Sequence, residues 1–444
     1  MSHADKVERL IAQLRSRAGE MHLGLAKDTS NLFRDRRDAR KQKLDVRAFD
    51  DVLEVDAAEG WVDVEGMTPY AKLVDAMLAR GVMPAVVPQL KSITIGGAAA
   101  GVGIEASSFK FGLVHESLLA LEILLADGRV VNATPDNEYR DLFYGFPNSY
   151  GTLGYVLKLR ALAVPVRPYV RLNHTRHSDP VECLRDLQAR CEGDADFVDG
   201  VVFGADDLVI TESRFSDAAP YLSDYSYEHI YYRSLRERAE DYLTLRDFIW
   251  RWDADWFWCS RNFGMQHPLI RRLAGRKRLN SLFYTRLMRL NSRWGVTRAI
   301  DRLRGLHPES VIQDVDIPIA DAPAFLDFLL KEIGILPVWL CPVRARRADV
   351  GFPLYPLAPD TLYVNFGFWD VVRRREPFPF GHHNRLVEHK VAELNGIKSL
   401  YSESYYEPET FWRLYGGAAY QALKRKYDPD GAFKDLYQKC VLRQ

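Results

Sequence analysis

The chain is poor in the features that would place it outside the ordinary globular class. Only five cysteines occur in 444 residues, at 183, 191, 259, 341 and 440, an odd count with no CxxC pair, which argues against a disulfide scaffold. No apolar run approaches the ~18 residues a spanning helix needs, and the start Met-Ser-His-Ala-Asp-Lys carries no leader pattern. Net charge is absent too: 60 Lys and Arg face 60 Asp and Glu, which excludes a polybasic nucleic-acid binder driven by counterion release. Glycine (29) and proline (22) show no excess, and no repeat or low-complexity tract is found, so collagen-like and disordered classes fall away. What the chain does have is aromatic: 9 Trp, 22 Tyr and 22 Phe. The expected protein is reduced, cytoplasmic and globular, with two or three interlocked domains.

Residues 4–18 place Val7, Leu10, Ile11 and Leu14 at helical spacing. Val52-Leu-Glu-Val55 and Trp61-Val-Asp-Val-Glu65 read as a hairpin around the turn 56–60. Thr68-Pro69 is expected to cap a helix reaching Gly81. A second hairpin turns at Asp127-Gly128, and Tyr155–Arg160 reads as a strand before the proline-bearing boundary 164–168. Further strands are expected at 200–203 and 208–211 and near 311–319, 336–341 and 361–368. After the strand at 208–211 follows a long helical stretch rich in Arg and aromatics. The segment from 398 reads as one or two helices.

The densest chemical signal is Thr94-Ile-Gly-Gly-Ala-Ala-Ala-Gly-Val-Gly-Ile-Glu-Ala-Ser-Ser-Phe-Lys-Phe-Gly112. Five glycines in nineteen residues leave backbone that ligand oxygens approach closely, with N–H groups available to an anion. Gly101-Val-Gly-Ile-Glu-Ala106 matches a GxGxxA nicotinamide fingerprint. The match is rejected, because no strand leads into it and it runs on into Ser107-Ser108.

The wider order of motifs is more specific. Gln89-Leu-Lys-Ser-Ile-Thr-Ile-Gly-Gly97, then Gly101-x-Gly103-x-Glu105-x-Ser-Ser108, Phe111-Gly-Leu113, Leu124-Leu-Ala-Asp-Gly128, Asp141-Leu-Phe-Tyr144 and Tyr150-Gly-Thr-Leu-Gly154 follow one another. This succession resembles the FAD-binding domain of the vanillyl-alcohol oxidase / p-cresol methylhydroxylase (PCMH) superfamily over residues 25–165. The resemblance implies an α+β fold: a PCMH-type FAD-binding domain at 1–165, an α+β substrate (cap) domain at 166–400, and a C-terminal helical segment, 401–444, completing the FAD domain. It implies FAD held by Gln89, Thr94, Gly96, Gly97, Gly101, Gly103, Ser107, Ser108, Gly112, Tyr150, Gly151, Thr152 and Gly154. Ser30 and Asn31 belong to the loop 27–34, which stands where relatives have a glycine-rich phosphate loop. That loop holds no histidine for a covalent tether, so noncovalent FAD is expected.

Gly103-Ile-Glu-Ala-Ser-Ser108, Trp339-Leu-Cys-Pro342, Phe411-Trp412 and Ala432-Phe433 are similar to the Δ24-sterol reductases over nearly the whole chain. The middle segment, with Ile230-Tyr-Tyr-Arg-Ser234, Trp250-Arg-Trp-Asp-Ala-Asp-Trp-Phe-Trp-Cys-Ser-Arg261, Pro353-Leu-Tyr-Pro356 and Lys398-Ser-Leu-Tyr-Ser402, resembles bacterial flavoproteins that work beside a fatty-acid methyltransferase. That resemblance implies reduction of the methylene of a 10-methylene fatty acyl phospholipid to a 10-methyl group. A sister group acts as desaturase of a methylated chain in furan fatty-acid synthesis. The implied partners are a fatty acyl phospholipid, a SAM-dependent fatty-acid methyltransferase and the membrane surface, with NADPH as an external donor and no nucleic acid. A lipid-binding partner without enzymatic activity is the alternative from another class.

Read by chemistry, alkene reduction needs a proton donor within hydrogen-bond reach of the site. Glu105, His115, Asp255, Arg261 and Tyr401 are the candidates. Trp252, Trp256, Trp258, Trp339 and Tyr363 are candidates for the substrate wall. At helical spacing Ile249, Trp252 and Trp256 would share a face, as core packing or as an acyl-channel wall. Residues 267–304 hold eleven Lys and Arg and one acid, Asp301, interleaved with leucines: either a solvated helix face or a patch for phospholipid headgroups. Cys259 and Cys341 read as packed thiols, and His382-His383 as a surface loop without metal spacing.

Overall fold

A computed structural model describes residues 1–16, 22–28, 33, 41–294, 297, 301 and 303–444. The fold is α+β, built on two antiparallel sheets with a small parallel pair, His22–Ala26 with Lys41–Asp45. Helix His3–Arg15 opens on a reciprocal cap: the Ser2 hydroxyl accepts from the Asp5 amide, and the Asp5 carboxylate accepts from the Ser2 amide. Its stripe Leu10 and Leu14 is buried. Two polar ties fix the same helix, His3 reaching Glu65 and Glu122, and Lys6 reaching Asp51 and Glu65.

The first sheet is organised around Tyr155–Pro165, whose residues alternate buried and half-buried along its length. Trp61–Glu65 pairs on one side, continuing through the hairpin to Val52–Asp56. Leu118–Leu124 pairs on the other, turning at Gly128 (φ +88°) into Val130–Ala133. The strand outruns the expected end at Arg160 because Val82–Pro84 pairs with its last three residues; the chain's proline lies at the strand terminus, where no ladder donor is needed. Pro69, not Thr68, occupies the N-cap of helix Tyr70–Leu78, while the Thr68 hydroxyl is spent on the Asp51 carbonyl.

The second sheet has eight strands in the order Glu240–Thr244, Tyr169–His177, Asp207–Ser216, Phe197–Gly204, Val338–Arg344, Leu362–Arg374, His307–Pro318 and Ile397–Lys398. The helical stretch expected between the strands at 208–211 and 311–319 is broken into pieces. Short helices Tyr231–Ser234 and Leu245–Ile249 flank an edge strand, and the chain then turns with Trp256 (φ +47°) and Phe257 (φ +59°) in the left-handed region. Helical face-sharing of Trp252 and Trp256 is therefore lost. Helices Pro268–Ala274 and Ser281–Trp294 follow.

The last three helices, Pro408–Leu414, Gly417–Tyr427 and Leu436–Cys440, return to the first sheet. Tyr420 donates to the Thr152 hydroxyl at 2.9 Å, Tyr427 to Asp141 at 2.7 Å, and Lys439 to the Tyr150 carbonyl. Leu423 fills the space beside Gly145, where a β-carbon would lie 2.2 Å from its Cδ1. His383 is not a loop residue: it is buried in the first turn of helix His382–Glu393, its Nδ1 2.9 Å from Glu309. Among the described residues no helix is long and apolar enough to cross a membrane, and no three His, Cys, Asp or Glu gather as metal ligands.

Candidate functional site

A cavity of about 1540 Å³ opens between the two sheets, beyond the ~300–1,000 Å³ usual for one small-molecule site. One wall is the glycine cluster. Thr94 caps the short helix Ile95–Ala100, its hydroxyl accepting from the Gly97 amide at 3.2 Å. A helix, not a strand, thus precedes Gly101, in line with rejection of the nicotinamide fingerprint. Gly96 approaches so closely that a β-carbon there would meet the Gly66 carbonyl at 2.4 Å, so only glycine lets this backbone sit against the strand behind it. The loop 148–154 braces the cluster, the Tyr150 amide donating to the Ala100 carbonyl at 2.7 Å and the Asn148 amide to Gly101 at 3.2 Å.

The same cavity is lined by Gln89, buried, whose Nε2 donates to no protein group. A buried amide donor is costly unless a ligand accepts from it. Bare glycine backbone with an unspent donor in the same cavity suits a flat heteroaromatic ring with carbonyl and nitrogen acceptors.

The opposite wall is aromatic. Phe257 packs 4.5 Å from Trp369 and 5.4 Å from Trp339, ring centre to ring centre, and all three line the cavity with Trp256. The left-handed turn at 256–257 makes this possible, because it sends Trp256 toward Tyr284 and Phe33 while Phe257 joins the other indoles. On the same wall, Trp369 Nε1 donates to the Tyr401 hydroxyl at 2.8 Å, and that hydroxyl donates to Asp314 Oδ2 at 2.6 Å. Burial, relieved by the Tyr401 bond and aggravated by Asp316, raises the Asp314 carboxyl to about 7. Burial first, and the Asp314 charge second, hold the Tyr401 phenol well above its usual value. Asp314 Oδ1 has no partner. The arrangement is a phenol whose proton is commanded by a neighbour that titrates near neutrality.

The residues expected from sequence separate into two groups. Gln89, Thr94, Gly96, Gly97, Gly101, Gly103, Tyr150, Gly151 and Gly154 line the cavity, as do Trp256, Trp339 and Tyr401. Ser107 and Ser108 lie behind it, tied to the Ala85 carbonyl and the Glu105 amide. Gly112 turns against Glu116, and Thr152 is bonded to Ser149 and Tyr420. Ser30 and Asn31 lie outside the described residues.

Among the proposed acids, Glu105 is buried in a cluster with Arg251 (3.0 Å) and Asp199, away from the cavity lining. His115 is enclosed against Phe352, and burial depresses it to about 3, which leaves it neutral. Asp255 is paired with Arg271 at 2.7 Å, and Arg261 with Asp370. Trp252 and Trp258 back the aromatic wall instead of facing the cavity, Trp252 stacking on Phe257 at 4.7 Å, and Tyr363 accepts from the Ala358 amide. Burial raises the Cys259 thiol to about 12, so it is a packed thiol. Sequence reasoning missed Asp314, Phe257 and Trp369. The local pattern gave no signal for Asp314: Val311, Gln313, Val315 and Ile317 form the buried alternation, and residue 314 falls on the other face of the strand.

Residues 28–134 match the FAD binding domain family. Over most of the chain, Delta(24)-sterol reductase of Rattus norvegicus is 29% identical, covering 88% of this chain and 76% of its own length. The Homo sapiens protein of that name is also 29% identical over 88% and 76%, and the Pisum sativum one 26% identical over 91% and 77%. The glycine cradle and the Gln89 donor fit FAD, and the chain is an FAD-binding oxidoreductase.

Proposed function

We propose that this protein reduces a carbon–carbon double bond within a long lipid chain, and that its substrate is the methylene of a 10-methylene fatty acyl phospholipid. One observation carries the reading: the glycine cradle and a wall of four aromatic rings face each other across one continuous cavity, and the Tyr401–Asp314 pair lies on the aromatic side. FAD, when bound, supplies the two-electron redox chemistry. Gln89 and the backbone of Gly96, Gly97 and Gly101 would hold it, noncovalently, with NADPH as the external donor. The rings of Trp256, Phe257, Trp339 and Trp369 exclude water and keep an apolar chain flat against the cradle.

Tyr401 Oη holds the proton for the second carbon. A phenol has one proton to give. With Asp314 ionised, that proton is directed at the carboxylate. With Asp314 protonated, the carboxyl donates to Oη alongside Trp369, and the phenol proton turns to the cavity.

The sterol reductase relatives favour a second reading, reduction of a sterol side chain. The desaturase reading reverses the same chemistry. Anaerobic single turnover of each lipid by the holoprotein, pre-reduced for the two reductase readings and oxidised for the desaturase reading, followed by mass spectrometry, separates all three. A gain of two hydrogens on the methylene acyl lipid is the expected result. Gain only on the sterol would replace the acyl reading, and loss of two hydrogens from a methylated chain would replace reduction by desaturation. A purified protein that binds no FAD would leave only the non-enzymatic lipid-binding partner of a methyltransferase.

A further inference from the structure

We infer that the helix pair Pro268–Ala274 and Ser281–Trp294, the second of which lines the cavity, is a docking surface for an anionic phospholipid bilayer. The inference deepens the lipid-substrate reading and takes its purpose from it, although the docking itself is measurable without it. The first helix has seven residues and points Leu269, Ile270 and Leu273 into solvent, Leu273 being 83% exposed and Leu269 67%. The second helix divides by face. Tyr284 is buried, and Thr285, Leu287 and Met288 reach the cavity lining, whereas Leu282, Arg286 and Leu290, spaced four apart, are exposed. Phe380, 73% exposed, also lines the cavity.

Charge selects the partner. Arg271 is used internally by Asp255, and Arg276 by Asp224. Arg272, Lys277, Arg278 and Arg286 are exposed and, among the described residues, have no acidic side chain within ion-pair distance. No Asp or Glu occurs from 256 to 300. Four uncompensated cations around outward leucines suit anionic headgroups over an acyl layer. Nucleic acid would leave the leucines in water. The inner face of the second helix is cavity wall, so the surface that meets lipid is continuous with the space that would receive an acyl chain.

The test is sedimentation of the FAD-loaded protein with vesicles of phosphatidylcholine alone or mixed with phosphatidylglycerol, at low and high salt. Binding to the mixed vesicles, falling with salt, is expected, since each cation near an anionic surface contributes roughly fivefold in partitioning. The surface variant L269S/L273S is expected to lose at least tenfold at either salt. R272E/R278E is expected to lose most binding and its salt dependence. Both should keep their flavin absorbance and their turnover of detergent-dispersed lipid. Absence of binding to the mixed vesicles, equal binding by wild type and both variants, or variant effects seen only on capture of a protein partner would overturn the inference. Vesicle binding without reduction of any acyl lipid would instead overturn the proposed substrate alone.

Discussion

The phenol of Tyr401 is held between a donor and a titrating acceptor, and that geometry makes a pH-dependent prediction. Its proton is free for the cavity only while Asp314 is protonated, and Asp314 is raised to about 7. The kcat is therefore expected to be high below about pH 7 and to fall as pH rises through it. Asp314→Asn, which cannot ionise, should abolish that falling limb, while Tyr401→Phe should lower kcat by roughly 10²–10⁴-fold with KM little changed. A pH–rate profile of the two variants checks both. A second residue-scale case is Arg251, buried between Glu105 and Asp199, with the Trp339 indole nitrogen 3.3 Å from Asp199. Burial raises Glu105 to about 7 in spite of the guanidinium, because two carboxylates share one cation. Arg251→Met leaves both unpaired and is expected to cost about 3–5 kcal/mol in denaturant unfolding, most of it recovered when Glu105→Gln and Asp199→Asn are added.

At the level of elements, helix His3–Arg15 is fastened by a histidine between two carboxylates, Nδ1 2.8 Å from Glu65 and Nε2 2.6 Å from Glu122. Hydrogen bonds to Glu122 first and Glu65 second raise His3 from 6.5 to about 9. A folded value above the unfolded one means the stabilisation is full below about 6.5 and is lost as pH rises through about 9. His3→Gln is thus expected to destabilise at pH 6, by about 1–2 kcal/mol after allowing for partial solvent screening, and to change little at pH 10. Thermal melts at the two values decide it. Hairpins and this helix were legible in the sequence because their patterns are local: Asp127-Gly128 demands a positive φ, and Leu10 and Leu14 fall on one helical face. The segment 250–258 was not, because two left-handed residues, Trp256 and Phe257, break a helical spacing that composition alone suggested. Those conformations are disfavoured for bulky side chains and hold only because the surrounding rings over-determine them.

Across the whole molecule, zero net charge concealed segregation: no acid occurs from 256 to 300, and among the described residues Arg272, Lys277, Arg278 and Arg286 are exposed along that stretch. The glycine half of the site was readable, since close backbone approach needs glycine wherever it occurs. The acid on the facing wall was not, because Asp314, Trp369 and Tyr401 come from three separate segments that only the second sheet brings together. The cavity is lined from both sheets, and this has a consequence for cofactor removal. A ligand that binds only the folded state stabilises by RT ln(1 + [L]/Kd), about 2.7 kcal/mol at a hundredfold excess over Kd. If FAD contacted the first sheet alone, that gain would be local. Here the cradle faces strand Leu362–Arg374, which supplies Trp369, Asp370, Val371 and Arg373 to the same cavity. Packing of the two walls then depends on what lies between them. Stripping FAD is expected to lower the melting temperature and to speed amide hydrogen exchange both at 94–103 and at 362–374, with readdition restoring both. Faster exchange confined to 94–103 would mean that the aromatic wall stands without the cofactor, and the two walls would then be separate sites.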